Sequence, residues 1–332
     1  MEIVFRGDKA PWQGPLLCIT HSDRPVHTDG CGLNELEARY ASPDRLPPKT
    51  PFVDLAPAAN ASPWKGSVTV WRLPADFRGK PTLLLHLHSQ VYKPQHAIYH
   101  RGSLWILGTE VLEVFDPLQG GVGIVTDPWM AGGHTVLPGN RGNLLVSCAA
   151  SDAVLEVDPT ALEVTAAHRL PASHYGFNYA LQRSDSVVDH FIHNDLQLTH
   201  VNCAAPWRHG IVVSTLIQGA IGWFEGDGGY RELTRGFVGC HGIRPLNDEL
   251  LYFCDSCLGT VNYLRPNGAI ERRIDFDSVW LHDAQHLDSQ FLAICAADRN
   301  TVEIFDLQSR EIVNVIDGSR FGASTQFVFY GS

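Results

Sequence analysis

The chain has 332 residues, 44 % of them hydrophobic and 18 % charged, a composition that fits a globular protein with a large core and excludes disorder. It carries 25 basic against 36 acidic residues, a net charge of −11, and no Lys/Arg cluster stands out, which argues against nucleic acid or an anionic membrane surface as partner. No run approaches 18 apolar residues, and Met1–Arg6 lacks a basic region followed by an apolar stretch, so the expected setting is cytoplasmic.

In chain order, Leu16–Thr20 reads as a strand, and residues 22–65, rich in Pro and Ala without a period, read as a long surface loop. Val68–Trp71 and Leu83–Leu87 are further strands. From there a repeat sets in. Leu104–Asp116, Leu144–Asp158, Ile211–Glu225, Leu250–Leu264 and Phe291–Asp306 each read strand, polar turn, strand, rich in Val, Ile, Phe and Tyr. Another short strand follows each pair (Gly121–Val125, Glu163–Ala167, Arg231–Leu233, Ile270–Ile274 and Ile312–Ile316), and one more precedes it. Four strands per unit is the number in a propeller blade. The expected architecture is therefore all-β: one six-bladed β-propeller over residues 1–332. Its last blade takes the C-terminal strand Thr325–Tyr330 as its innermost and the N-terminal strands as the rest, which removes free sheet edges.

Just before each strand pair stands a histidine: His96, His134, His200, His241 and His282. Successive members are 38, 66, 41 and 41 residues apart. Spacing selects His282 over His286 by offset only, and the choice stays open. The first strand of a blade lines the central channel, so five such residues converge on the axis. Neutral imidazoles together suit a transition ion, Fe(II), Cu or Zn, whereas Ca or Mg takes oxygen ligands. Ser324 or a neighbour stands at this position in the sixth blade and leaves an open side for water or substrate. The plainer alternative is inter-blade packing by histidine.

The long gap before His200 holds an insertion, about residues 171–198, placed to act as a lid over the channel mouth. Its Tyr and Phe residues, Tyr179 among them, suit an apolar or aromatic substrate, and His190 or His193 suits proton transfer. Asn202 and Arg244 on the inner strands complete the candidate catalytic groups, with Arg244 suited to a carboxylate. Cys148, Cys254 and Cys295 fall at what reads as one repeat position, which explains Cys254 better than a redox or metal pair with Cys257 does.

The units Cys240–Asp255 and Gly133–Ser147 resemble NHL-type repeats, which commonly read Pro-His-Gly-Ile-Ala-Val, a Gly turn, and a strand ending in Asp. The resemblance covers about residues 90–330 and implies a propeller fold more than an activity. Relatives of such propellers include a lyase with a histidine-bound metal at the channel mouth, and the more distant carotenoid-cleavage oxygenases bind iron by four histidines. Neither motif set is matched residue by residue. The expected function is a metal-dependent enzyme, Fe(II) favoured, an oxidoreductase or oxygenase acting on a small organic substrate. A zinc lyase or hydrolase at the same ligands is the first alternative, and a propeller scaffold binding a protein or peptide the second. Oligomeric state is not legible.

Overall fold

In a computed structural model, described over residues 3–5, 12, 14–22, 56–57, 66–89, 94–175, 190–191, 199–226, 228–322 and 324–331, the chain forms six antiparallel blades in a ring. The first five blades follow the sequence in order. Their innermost strands are His96–His100, Gly133–Pro138, Val201–Trp207, Cys240–Asn247 and Leu281–His286. Each zigzags outward through three more strands.

The sixth blade joins the two termini. Ser324–Gly331 is innermost and pairs with Leu16–Ser22, followed outward by Gly66–Arg72 and Thr82–His88. Ile3–Phe5 adds a fifth strand outside these. The expected ring closure is thus the observed one.

Local chemistry explains the repeat. In three blades the third strand ends on an aspartate whose carboxylate accepts backbone N–H groups two and three residues on. Asp116 takes Leu118 and Gln119, Asp158 takes Thr160 and Ala161, and Asp306 takes Gln308 and Ser309. An Asx turn of this kind reverses the chain into the fourth strand without an unsatisfied donor. Inner and middle strands are buried on both faces because neighbouring blades pack against them, so they read as continuous apolar runs. Leu144–Cys148 and Phe291–Ala296 are buried throughout. Fourth strands, at the rim, are half-exposed and polar, as in Ile270–Asp275.

Two parts of the sequence reading meet unexpectedly. Ala56–Pro57, inside the expected 22–65 loop, pairs antiparallel with His190–Phe191, inside the 171–198 insertion. At its start the insertion makes a short 3-10 turn, Ala172–Tyr175, in which Tyr175 shares a hydroxyl hydrogen bond with Tyr230 of the third blade's outer strand. The remainder of the insertion, and with it the lid expectation, lies outside the described residues. Among the described residues no helix is long and apolar enough to cross a membrane. The described cysteines are buried and free, and burial pushes the Cys254 thiol well above its usual range. The strand registers put Cys254 and Cys295 at one repeat position but Cys148 one residue further on, which corrects the expected equivalence of all three.

Candidate metal centre

The strand registers decide which inner-strand residues are equivalent. Cys148, Thr215, Asp255 and Ala296 each end a second strand, and each pairs across its turn with the residue five further on. Their inner-strand partners are Gly133, Val201, Cys240 and Leu281. The next residue in each blade is then His134, Asn202, His241 and His282. In the sixth blade Ser22 pairs with Ser324, so Thr325 holds the position. In the first blade Leu107 pairs with His96, so Ala97 follows.

This corrects the five-membered ring. His96 and His200 do not share the position of His134, His241 and His282. His96 stands one residue before that position, and because side chains alternate along a strand this offset aims it differently, while His200 stands two residues before it, ahead of the strand that begins at Val201. Spacing from the following strand cannot register such an offset, because turn lengths differ between blades.

Backbone irregularity aims the three true equivalents. His134 and His282 are each the unpaired residue of a β-bulge, between Gly133/Thr135 and between Leu281/Asp283, and Asn202 occupies the same bulge in the third blade. In the fourth blade the shift follows His241, where Gly242 takes a φ of 61°. Bulges re-aim side chains in this way at sites. The first blade has no such shift, which is why His96 points elsewhere: it is fully buried, with its ring 6.2 Å from that of Phe329.

His134, His241 and His282 come together. One ring nitrogen from each lies within 4.8 Å of the others, and all three residues are buried. Ring centroids are 5.4 Å apart for His134 and His241 and 4.6 Å for His241 and His282. The His241 Nδ1 lies 2.8 Å from the Gly239 carbonyl and 2.8 Å from Ser256 Oγ. A carbonyl only accepts, so Nδ1 carries the hydrogen and Nε2 keeps its lone pair for a ligand. Burial lowers His241 to about 4, only partly opposed by the Gly239 hydrogen bond, so its ring is neutral at physiological pH. Burial, followed by the charge of Arg244, holds His96 well below the usual histidine range.

His200 is a neighbour of this trio. Its ring stands edge-on to His134 at 5.4 Å between centroids. Its backbone is left-handed, with φ 54°, and is fixed by Asp152, whose Oδ1 accepts the N–H of Thr199 and of His200 and the Thr199 hydroxyl. Trp280 closes another side, 5.7 Å from His241 and 6.1 Å from His282.

Two further candidates are engaged by the scaffold. Asn202 donates from Nδ2 to the Cys240 carbonyl at 2.5 Å, joining the third blade to the residue before His241. Arg244, expected to hold a carboxylate, holds one belonging to the protein: Asp283, at 2.5 and 2.9 Å. Tyr179 and His193 lie outside the described residues. Asp283, Asp152, Ser256 and Trp280 were not singled out from the sequence. Only Asp283 left a local sign there, directly following His282.

No protein-family model matches the chain, and no curated protein sequence matches it. Solved structures do. A streptogramin B lyase is 14 % identical, with 76 % of this chain and 79 % of that chain covered, at a TM-score of 0.51. A virginiamycin B lyase from Staphylococcus aureus is 13 % identical, covering 76 % and 77 %, at 0.50. A protein of unknown function from Bacteroides caccae is 11 % identical, covering 82 % and 96 %, at 0.58. At such identities the likeness concerns the fold alone, and it agrees with the ring of strands: a six-bladed β-propeller.

Proposed function

We propose that the protein is a metal-dependent enzyme whose ion is held by His134, His241 and His282 at the head of the propeller channel. The observation that carries this reading is the convergence of three buried imidazoles from three blades, with a ligand atom of each within 4.8 Å of the others. Three nitrogen donors leave the remaining coordination positions of a divalent ion for water or a substrate oxygen. No carboxylate joins the cluster among the described residues, so the donors leave the ion's positive charge uncompensated, and the ion then supplies Lewis-acid or redox chemistry at that open side.

The donor set suits Fe(II), Cu or Zn over Ca or Mg. With iron or copper the enzyme is an oxidoreductase or oxygenase of a small organic substrate, and with zinc a lyase or hydrolase. Dependence of turnover on O₂ separates these.

The test is metal analysis of the full chain purified without a histidine tag, beside His134→Ala and His241→Ala. About one equivalent of a transition metal per chain is expected in the parent and none in either variant. A parent that retains no iron, copper or zinc after anaerobic loading overturns the proposal and leaves the histidines as inter-blade packing or metal-free acid/base groups.

A further inference from the structure

Arg244 and Asp283, one from the inner strand of the fourth blade and one from that of the fifth, form a buried bidentate ion pair, Nη1 to Oδ1 at 2.5 Å and Nη2 to Oδ2 at 2.9 Å. Backbone groups of three strands add to it. Nη1 also donates to the Ala284 carbonyl at 2.6 Å and to the Gly242 carbonyl at 3.3 Å, while Nη2 reaches the Val328 carbonyl at 3.3 Å. Asp283 accepts the Ala284 N–H on Oδ1 at 2.9 Å and the Val328 N–H on Oδ2 at 3.2 Å. Three consecutive inner strands, of the fourth, fifth and sixth blades, are thus held by one fork.

The placement along the chain is what ties this pair to the metal site. Asp283 directly follows His282, and Arg244 stands three residues after His241 across the irregularity at Gly242. Gly242 is left-handed, and a Cβ there would stand 2.4 Å from Asp283 Oδ1, so the carboxylate rests against the backbone that turns His241 inward. A bidentate fork fixes distance and rotation together, which a single contact does not. Burying two charges gives little net stability compared with apolar residues of similar size, so a pair in this place is poorly explained by stability alone.

We infer that the Arg244–Asp283 pair is the positioning device of the metal site, setting the separation of His241 and His282 by clamping the inner strands that carry them. The inference rests on the proposed metal-binding reading and names residues that touch neither ion nor substrate. Arg244 therefore acts through the ligands and does not contact the reacting groups.

The experiment measures Zn(II) affinity by chelator competition, and the visible spectrum of the Co(II)-loaded chain, in the parent and in Arg244→Met/Asp283→Asn. The double change removes both charges together, so no lone buried ion is left to unfold the chain. Arg244→Lys keeps the charge but loses the fork. Arg299→Met/Glu303→Gln removes an ion pair of the fifth blade that lies on its third strand and the turn before it, off the inner strands, and serves as control. The double variant is expected to bind Zn(II) about 10- to 100-fold more weakly and to show an altered Co(II) spectrum, Arg244→Lys to lie between, and the control to match the parent. A folded double variant with parental affinity and spectrum overturns the inference while leaving the metal site standing. A control weakened equally overturns it too, since general loosening would then be the cause. A parent that binds neither ion overturns both readings.

Discussion

Arg244→Ala is expected to destabilise the chain by about 3–5 kcal/mol, because it leaves the Asp283 carboxylate buried without its counter-charge. Asp283 is fully buried and Arg244 nearly so, and water cannot replace the guanidinium without entering the channel. Burial works against the Arg244 charge, but the adjacent Asp283 outweighs it and holds the guanidinium above its ordinary range. For a domain whose total stability is on the order of 5–15 kcal/mol, such a loss moves the urea midpoint by a large fraction of its value. The measurement is a urea titration at pH 7.5 with the slope compared between variants. A loss below about 1 kcal/mol would mean that solvent reaches Asp283 and that the pair is not a buried one.

Acid is expected to weaken the metal-free fold steeply between pH 6.5 and 4. Buried histidines dominate, and His96, held well below the usual range by burial and then by the Arg244 charge, acts in the same sense as the two that follow. Burial lowers His21 to about 3, with the neighbouring His86 adding to the effect, and burial lowers His241 to about 4. The unfolded chain takes up these protons near pH 6.5 while the folded chain refuses them. The stability from each is therefore complete above pH 6.5 and is lost as pH falls toward the folded value, roughly 3–5 kcal/mol per residue. The local reason at His21 is specific. The Trp71 indole only donates, and it donates to Thr69 Oγ1, so the Thr69 hydroxyl hydrogen is free to bond His21 Nε2, 2.9 Å away. A proton on Nε2 removes the lone pair that accepts this hydrogen and forces the Thr69 hydroxyl to turn away.

Asp255 opposes the trend. Burial raises it to about 7 despite the hydrogen bond from Val238 N–H, so its contribution is complete below about pH 4 and is lost as pH rises through 7. The buried histidines His21, His96 and His241 together outweigh one carboxyl, and the net slope is downward with acid. His21→Gln should flatten the profile and Asp255→Asn should steepen it, both read from urea midpoints across this range. Midpoints that stay level from pH 7 to 4.5 in the parent would contradict the burial of these rings.

Much of the architecture is written in short-range chemistry. A period of about 40 residues, four apolar runs per period and Asp-led turns such as Asp158 and Asp306 specify a blade, and a blade whose faces are apolar must be covered by the next. The role of Leu16–Ser22 in closing the ring with Ser324–Gly331 follows from the same requirement, since an unpaired edge would otherwise remain. That histidines gather at the channel is equally legible, because they recur at the heads of inner strands.

Tertiary structure alone decided which histidines meet. A bulge adds one residue to a strand without changing its composition, so His134 and His282 sit on bulges while His96 begins a regular strand, and the three look alike in sequence. In the third blade the same geometry presents Asn202 and leaves His200 two residues before it, tied to Asp152 of the preceding blade. The partner of Arg244 was hidden for a related reason. It lies 39 residues away on the next blade, and only the packing of blade against blade brings a guanidinium and a carboxylate into one buried fork. Sequence determined the repeat and the residue types that line the channel; register and inter-blade contact, which depend on the whole ring closing, determined the site.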